Sequence, residues 1–270
     1  MMKGLRILSL SDIHGDMDAY QIFLNRLEGQ SFDVAIIAGD LGGLKEARTI
    51  LSKLANFGKP ILYVMGNWDS FSYLDNIHEA ATHIHLTHQR IGDWVFLGYS
   101  GCSANLYCGN PSLAGKHEEF LSKARHYKRK YSSYELFCKS IVFKELQTYI
   151  HENQIDVDEL IFVSHDRFYA LPFTPVLYIF GHRHTPKYTY YKGIHCLNTS
   201  AISMESTMSN KDMDAPGNFC LIDLEGTACQ INFQEIPSPY VRTDRFHGSC
   251  FQDVEENGYC DTAFFKKRKV

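Results

Sequence analysis

The chain has 270 residues, enough for a sizeable core in one large domain or two small ones. Its content of 44% hydrophobic, 13% aromatic and 21% charged residues is an ordinary globular profile, and a net charge of −4 gives no reason to expect nucleic-acid binding by bulk charge alone. No apolar stretch approaches the ~20 residues that span a bilayer, and the first apolar run meets charge at once, unlike a secretory leader, so a cytoplasmic protein is expected.

In chain order, Leu5 to Leu10 reads as a buried strand and Asp16 to Gly29 as a helix, with Met17, Tyr20, Phe23, Leu24 and Leu27 at helical spacing. Asp33 to Ala38 is a second buried strand. Leu44, Ala47, Leu51, Leu54 and Ala55 mark a second helix, and Pro60 to Met65 is a third strand. Such alternation predicts βαβ units and a mostly parallel sheet. His83 to Gln89 and Asp93 to Ser100 then read as paired strands joined around Arg90-Ile91-Gly92. Ser103 to Gly115 is polar and turn-rich, and His117 to Glu152 is charged, aromatic and helical. Ser132-x-x-Glu135 fits a capping box within it. Strands resume at Leu160 to Ser164 and Val176 to Phe180. Tyr188 to Tyr191, Gly193 to Leu197, Phe219 to Leu224 and Ala228 to Phe233 are further strand candidates. The expected organisation is one domain over residues 1–240, with a helical insertion at about 103–152 and a tail over 241–270. That tail ends in Lys266-Lys267-Arg268-Lys269-Val270, either a solvated end or a nuclear-import signal.

Eight cysteines are present without a C-x-x-C pair, so free, mostly buried thiols are expected and a cysteine zinc site is not. The polar residues that follow the strands carry more information. The first strand runs into Ser11-Asp12-Ile13-His14-Gly15-Asp16 and the second into Gly39-Asp40. The third gives Gly66-Asn67-Trp68-Asp69, and later strands give Ser164-His165-Asp166 and Gly181-His182-Arg183-His184. Sites of open α/β sheets lie beyond the carboxyl ends of the strands. Any one of these residues could cap a helix, sit in a turn or be a satisfied core histidine. Five such ends together are a mixed N/O set that suits Mn²⁺, Fe or Zn²⁺. Seven ligands are too many for one ion and enough for two sharing a carboxylate.

Asp12-x-His14, Gly39-Asp40, Gly66-Asn67-x-Asp69, His165 and Gly181-His182-x-His184 resemble the five blocks of the calcineurin-like metallophosphoesterases, in order and spacing, from about residue 5 to 200. The resemblance implies a four-layer α/β/β/α sandwich with two central mixed sheets. It implies that Asp12, His14 and His184 hold one metal, that Asn67, His165 and His182 hold the other, and that Asp40 bridges them. A hydroxide shared by two divalent ions, Mn²⁺ first, would be the nucleophile. Asn67 and Asp69 are expected to be catalytic.

The chain departs from the family at Trp68, where many members carry a histidine thought to protonate the leaving group. An indole N–H has no usable acidity. General-acid help of this kind is worth roughly 10²–10⁴-fold, so diesters and activated leaving groups suffer least from its loss. Should another acid serve, Asp69 and Asp166 are the candidates. Trp68 either stacks on a substrate ring or simply packs. Arg183 and Arg167 either reach phosphate oxygens or form outward salt bridges.

In relatives, segments placed like the insertion choose the substrate. Here it carries Lys116, Lys123, Arg125, His126, Lys128, Arg129 and Lys130 among Tyr127, Tyr131 and Tyr134. It is either a solvated helix face or a basic lid for a nucleotide or nucleic acid. The expected function is therefore a metal-dependent phosphodiesterase. Two alternatives stand beside it: a membrane-surface hydrolase of a pyrophosphate-linked lipid, using Phe137, Ile141, Val142 and Phe143, and a non-catalytic binding module on a phosphoesterase fold.

Overall fold

The computed structural model describes residues 4–69, 77–102, 110–113, 134–168, 171–203 and 217–236, with the backbone alone for 113 and 134–139. Most of the expected insertion, with its basic residues and Ser132, lies outside the described residues, as does the 241–270 tail.

Twelve strands and three longer helices are described. β1 (Leu5–Leu10), α1 (Met17–Leu27), β2 (Val34–Ala38), α2 (Leu44–Ala55) and β3 (Ile61–Val64) form the expected parallel βαβαβ run. β4 (Ala81–His83), β5 (His88–Ile91), β6 (Trp94–Tyr99), α3 (Tyr134–Glu152), β7 (Leu160–Ser164) and β8 (Leu177–Phe180) follow. β9 (Lys187–Tyr191), β10 (Ile194–Asn198), β11 (Gly217–Glu225) and β12 (Ala228–Ile236) complete the fold.

The strands make two six-stranded mixed sheets, ordered β12-β11-β1-β2-β3-β4 and β5-β6-β7-β8-β10-β9. Side chains alternate across a strand, so each central strand feeds two apolar layers. Ile7, Val34, Ile36, Val64, Phe96, Ile161, Val163, Ile179 and Ile222 fill the layer between the sheets. Leu8, Leu10, Ile37 and Tyr63 join Tyr20, Phe23, Ile50 and Leu54 of α1 and α2 on one outer face. Leu97, Tyr99 and Phe162 join Val142 and Leu146 of α3 on the other. This is the α/β/β/α sandwich that the block pattern implied. The helix caps follow the sequence: the Asp16 carboxylate accepts the Ala19 N–H at the start of α1.

One expected pairing is divided differently. The stretch from His83 to Gln89 is not a single strand, because β4 joins the first sheet parallel to β3 while β5 joins the second. Tyr63 pairs with His83, and Ile91 pairs with Trp94 around Gly92, whose φ of 59° suits the tight turn. The chain thus crosses between the sheets within a few residues, which a periodicity of two cannot reveal.

That crossover buries a histidine pair. His83 Nε2 meets Ser100 Oγ at 2.8 Å, and the Ser100 N–H donates to His85 Nδ1 at 2.9 Å. Burial pushes His83 down to about 4. Burial, with His83 adding to it, pushes His85 down to about 3. The unfolded rings bind protons first as pH falls below about 6.5, so stability is present above that pH and is lost toward pH 4. The unfolding free energy read from urea titrations is expected to fall between pH 7 and 5 by at most about 2 kcal/mol per ring, because both residues keep some exposed surface. His85→Gln should flatten that slope; an unchanged slope in the variant would remove the pair from the account.

Candidate metal centre

Parallel strands β1, β2 and β3 of one sheet and β7 and β8 of the other end at one edge of the sandwich. The loops leaving them are stitched together. Gly181 N–H donates to His165 O, Ser203 N–H to Asp12 O, and Gly101 N–H to Met65 O. Ser11 Oγ, which contacts both Asp12 Oδ2 and Ser200 O, ties β1 to the segment after β10.

Five residues here hold left-handed backbone: Asp12 (φ 52°), His14 (51°), Asp40 (57°), His182 (68°) and His184 (50°). Such a conformation costs a non-glycine residue roughly 1 kcal/mol or more, and Asp and His are among the residues that tolerate it best. Its effect is to turn each side chain inward immediately after its strand. All five are candidate ligands, so the strain is concentrated where the chemistry is. Gly66 allows the third loop to approach: a Cβ there would strike Asp40 Oδ1 and the His165 ring.

The seven expected ligands are brought together in two groups. In the first, His14 Nε2 stands 3.1 Å from His184 Nε2, and Asp12 Oδ1 stands 3.1 Å from His184 Nε2 and 3.7 Å from His14 Nε2. In the second, His165 Nε2 stands 3.0 Å from Asn67 Oδ1 and 3.2 Å from His182 Nδ1. Asp40 Oδ2 belongs to both, 3.2 Å from His165 Nε2 and 3.8 Å from His14 Nε2. Ligands on adjacent positions of an ion with bonds near 2.1 Å stand about 3 Å apart.

The donor set fits divalent transition-metal ions on several counts. Asp12 Oδ2 accepts from Ser11 Oγ at 2.6 Å and from the His182 N–H at 2.8 Å, whereas buried Asp12 Oδ1 has no hydrogen-bond donor of good geometry. One oxygen is held by the protein and the other faces the centre. His165 Nδ1 lies 2.9 Å from Ala38 O. A carbonyl can only accept, so Nδ1 keeps a proton and Nε2 is the nitrogen that faces the site, able to ligate once an ion displaces its own proton.

The electrostatics agree. Burial alone would raise Asp12 and Asp40, but the surrounding imidazoles outweigh it and both are lowered. Burial would lower His165, but Asp40 and Asp12 outweigh it and hold it up at about 10. Burial likewise opposes a raised His184, with Asp12 prevailing. His182 is lowered by burial and by His165. Two buried carboxylates that recruit protons onto neighbouring rings form a site whose field favours cations.

The other expected site residues take various places. Trp68 is half-buried, with its ring edge-on to His14 at 5.1 Å, and its backbone N–H donates to Asp40 Oδ1 at 2.8 Å. Asp69 is buried and faces backbone. Its carboxylate accepts N–H groups from Asp40, Leu41 and Gly66 at 2.8 Å and from Gly42 at 3.4 Å. Burial and Asp40 raise its pKa to about 7. Arg167 lies over the Phe180 ring, 5.6 Å from its centroid, and also interacts with Cys196; Arg183 is exposed.

Sequence reasoning passed over Cys102, which is buried with Sγ 3.6 Å from both Asp166 Oδ2 and His182 Nε2. A signal was available, since Cys102 follows β6 as Asp12 follows β1. Cys196 and Cys220 are also buried free thiols, and Cys229 is half-buried.

Among solved structures, TT1561 of Thermus thermophilus is similar at 15% identity and a TM-score of 0.56, over 85% of this chain and 99% of that one. A metallophosphoesterase from Sphaerobacter thermophilus matches at 12% identity and a TM-score of 0.43, over 98% of each chain. Yfce, a phosphoesterase from E. coli, matches at 13% identity and a TM-score of 0.43, over 80% of this chain and 87% of that one. No curated protein matches the chain by sequence. The calcineurin-like phosphoesterase superfamily domain matches residues 5–226, a span that runs from the first residue of β1 into the last hairpin and takes in all seven candidate ligands. The chain therefore belongs to the calcineurin-like phosphoesterase superfamily.

Proposed function

We propose that the protein is a dinuclear metal-dependent phosphodiesterase. The observation that carries this reading is Asp40 Oδ2, shared between two groups of nitrogen and oxygen ligands. Asp12, His14 and His184 would hold one divalent ion and Asn67, His165 and His182 the other, with Asp40 between them; the N/O donor set suits Mn²⁺, with Fe and Zn²⁺ as alternatives. Two such ions, when bound, lower the pKa of a shared water toward neutrality and offset the charge of the phosphate. The chain's own part is to hold this geometry. Ser11 and the His182 amide orient Asp12, Ala38 O sets the His165 tautomer, and the Trp68 amide fixes Asp40.

A diester preference is supported by Trp68, which supplies no acid beside His14. A nucleotide or nucleic-acid substrate is favoured by the basic and aromatic residues from Lys116 to Tyr134. Arg183, exposed and lying in sequence between His182 and His184, is the arginine better suited to meet phosphate; Arg167, turned toward Phe180 and Cys196, is less suited to that part. The lipid-hydrolase reading needs an exposed apolar face on α3. Val142 is buried there and Ile141 packs against the core, so Phe143 is the large exposed hydrophobic left among that helix's described side chains. Among the described residues no helix is long and apolar enough to cross a membrane. A non-catalytic module is disfavoured by the presence of all seven ligands.

The test is a Mn²⁺-loaded screen. Bis(p-nitrophenyl) phosphate should be cleaved, and simple alkyl monoesters should be slower by roughly 10²-fold or more, the value of general-acid help. Efficient turnover of alkyl monoesters would overturn the preference and assign an acid elsewhere.

A further inference from the structure

Beside the seven ligands stands a second kind of donor set. Cys102 Sγ lies 3.6 Å from Asp166 Oδ2 and 3.6 Å from His182 Nε2, and the three ligand atoms lie within 4.8 Å of one another. Cys102 and Asp166 are buried, at 3% and 2% exposure. Two ligands of a tetrahedral zinc ion, with sulfur at about 2.3 Å and nitrogen or oxygen at about 2.0 Å, stand about 3.5 Å apart. The observed separations match that spacing. Asp166 is also aimed: its Oδ1 accepts the Arg167 N–H at 2.7 Å, which leaves Oδ2 toward the thiol.

We propose that Cys102, Asp166 and His182 form a third metal site, selective for a thiophilic divalent ion such as Zn²⁺, which draws on the dinuclear centre through His182. The ring presents Nδ1 to His165 and Nε2 to Cys102. A neutral imidazole has one lone pair, so an ion held at Nε2 competes with one held at Nδ1. Binding releases the thiol proton to solvent, since the thiolate is the ligand. The sulfur sets the selectivity: thiolate favours Zn²⁺ over Mn²⁺, whereas the seven-ligand centre offers no sulfur. Excess Zn²⁺ would then unseat the second ion of the dinuclear centre, a form of control that Mn²⁺ would not exert. Cysteine spacing along the chain gives no hint of this site, because its members follow three different strands.

Cobalt substitution tests the proposal without recourse to activity. Titrating the full-length, metal-free protein with Co²⁺ should produce a thiolate-to-cobalt charge-transfer band in the near ultraviolet. In Cys102→Ser that band should fall to baseline while about two equivalents of cobalt with purely N/O-type spectra remain. Asp166→Asn, which keeps the thiol, should weaken cobalt binding read from the same band by roughly tenfold or more. Absence of the band in the wild-type protein, or its persistence in Cys102→Ser, overturns the third site and leaves the dinuclear centre untouched. Fewer than two N/O-bound equivalents in Cys102→Ser, where no thiolate competes for His182, would instead count against the dinuclear reading.

Discussion

Asp40→Asn should lower bound Mn²⁺ from about two ions per chain to one or fewer, and phosphodiesterase activity by at least a hundredfold. The direction follows from the two ends of the side chain. Oδ1 accepts the Trp68 N–H at 2.8 Å, so an asparagine must place its carbonyl there to avoid setting two donors face to face. Its NH₂ group then points to where Oδ2 stood, 3.2 Å from His165 and 3.8 Å from His14. A donor would replace the one carboxylate oxygen common to both ligand groups. Losing a mere supporting contact to a ligand costs roughly 10–100-fold in affinity or activity, and losing the shared ligand should cost more. Metal analysis of the dialysed protein and turnover of an aryl diester read the two effects. Normal stoichiometry and rate in the variant would refute the assignment of Asp40.

Asp69→Ala should destabilise the metal-free protein by about 3–5 kcal/mol and weaken Mn²⁺ binding at the same time. Sequence reading pointed to Asp69 as a catalytic group, yet its oxygens are occupied by the amides of Asp40, Leu41, Gly42 and Gly66. It therefore clamps the second loop to the third. Each buried amide left unpartnered costs about 1–3 kcal/mol, and the four are not additive. Because Asp40 and Asn67 lie on the clamped loops, ligand geometry should loosen together with stability. Asp69→Asn should be nearly as harmful, since its NH₂ would confront N–H donors. Urea unfolding in chelator and a Mn²⁺ titration decide the matter. Were Asp69 instead the acid that protonates a leaving group, Asp69→Asn would spare stability and metal affinity and slow only substrates with poor leaving groups.

A large part of the architecture could be read from the order of residues alone, for a physical reason. Central parallel strands are buried on both faces, so β1, β2, β3, β7 and β8 appear as short, largely apolar runs. Helices α1 and α2 appear through their spacing and their stops. Candidate ligands placed beyond strand ends then stand out as polar residues at fixed positions after each run, which is why the convergence of Asp12, His14, Asp40, Asn67, His165, His182 and His184 could be expected from the chain.

Other features were settled only when the two sheets came together. The left-handed backbone of five candidate ligands is held by packing and cross-loop hydrogen bonds, since Asp and His prefer other conformations when free. The assignment of β4 to one sheet and β5 to the other depends on which partner edge each meets, and alternation along a strand is the same in either sheet. The role of Asp69 depends on amides 27 to 29 residues away that no motif names. Cys102 meets Asp166 and His182 across 64 and 80 positions, because β6, β7 and β8 lie side by side and end at the same edge. Local propensity and periodicity decide what each segment becomes; which side chains meet between segments is decided by the register and stacking of the sheets, and that is where the clamp and the thiol cluster arise.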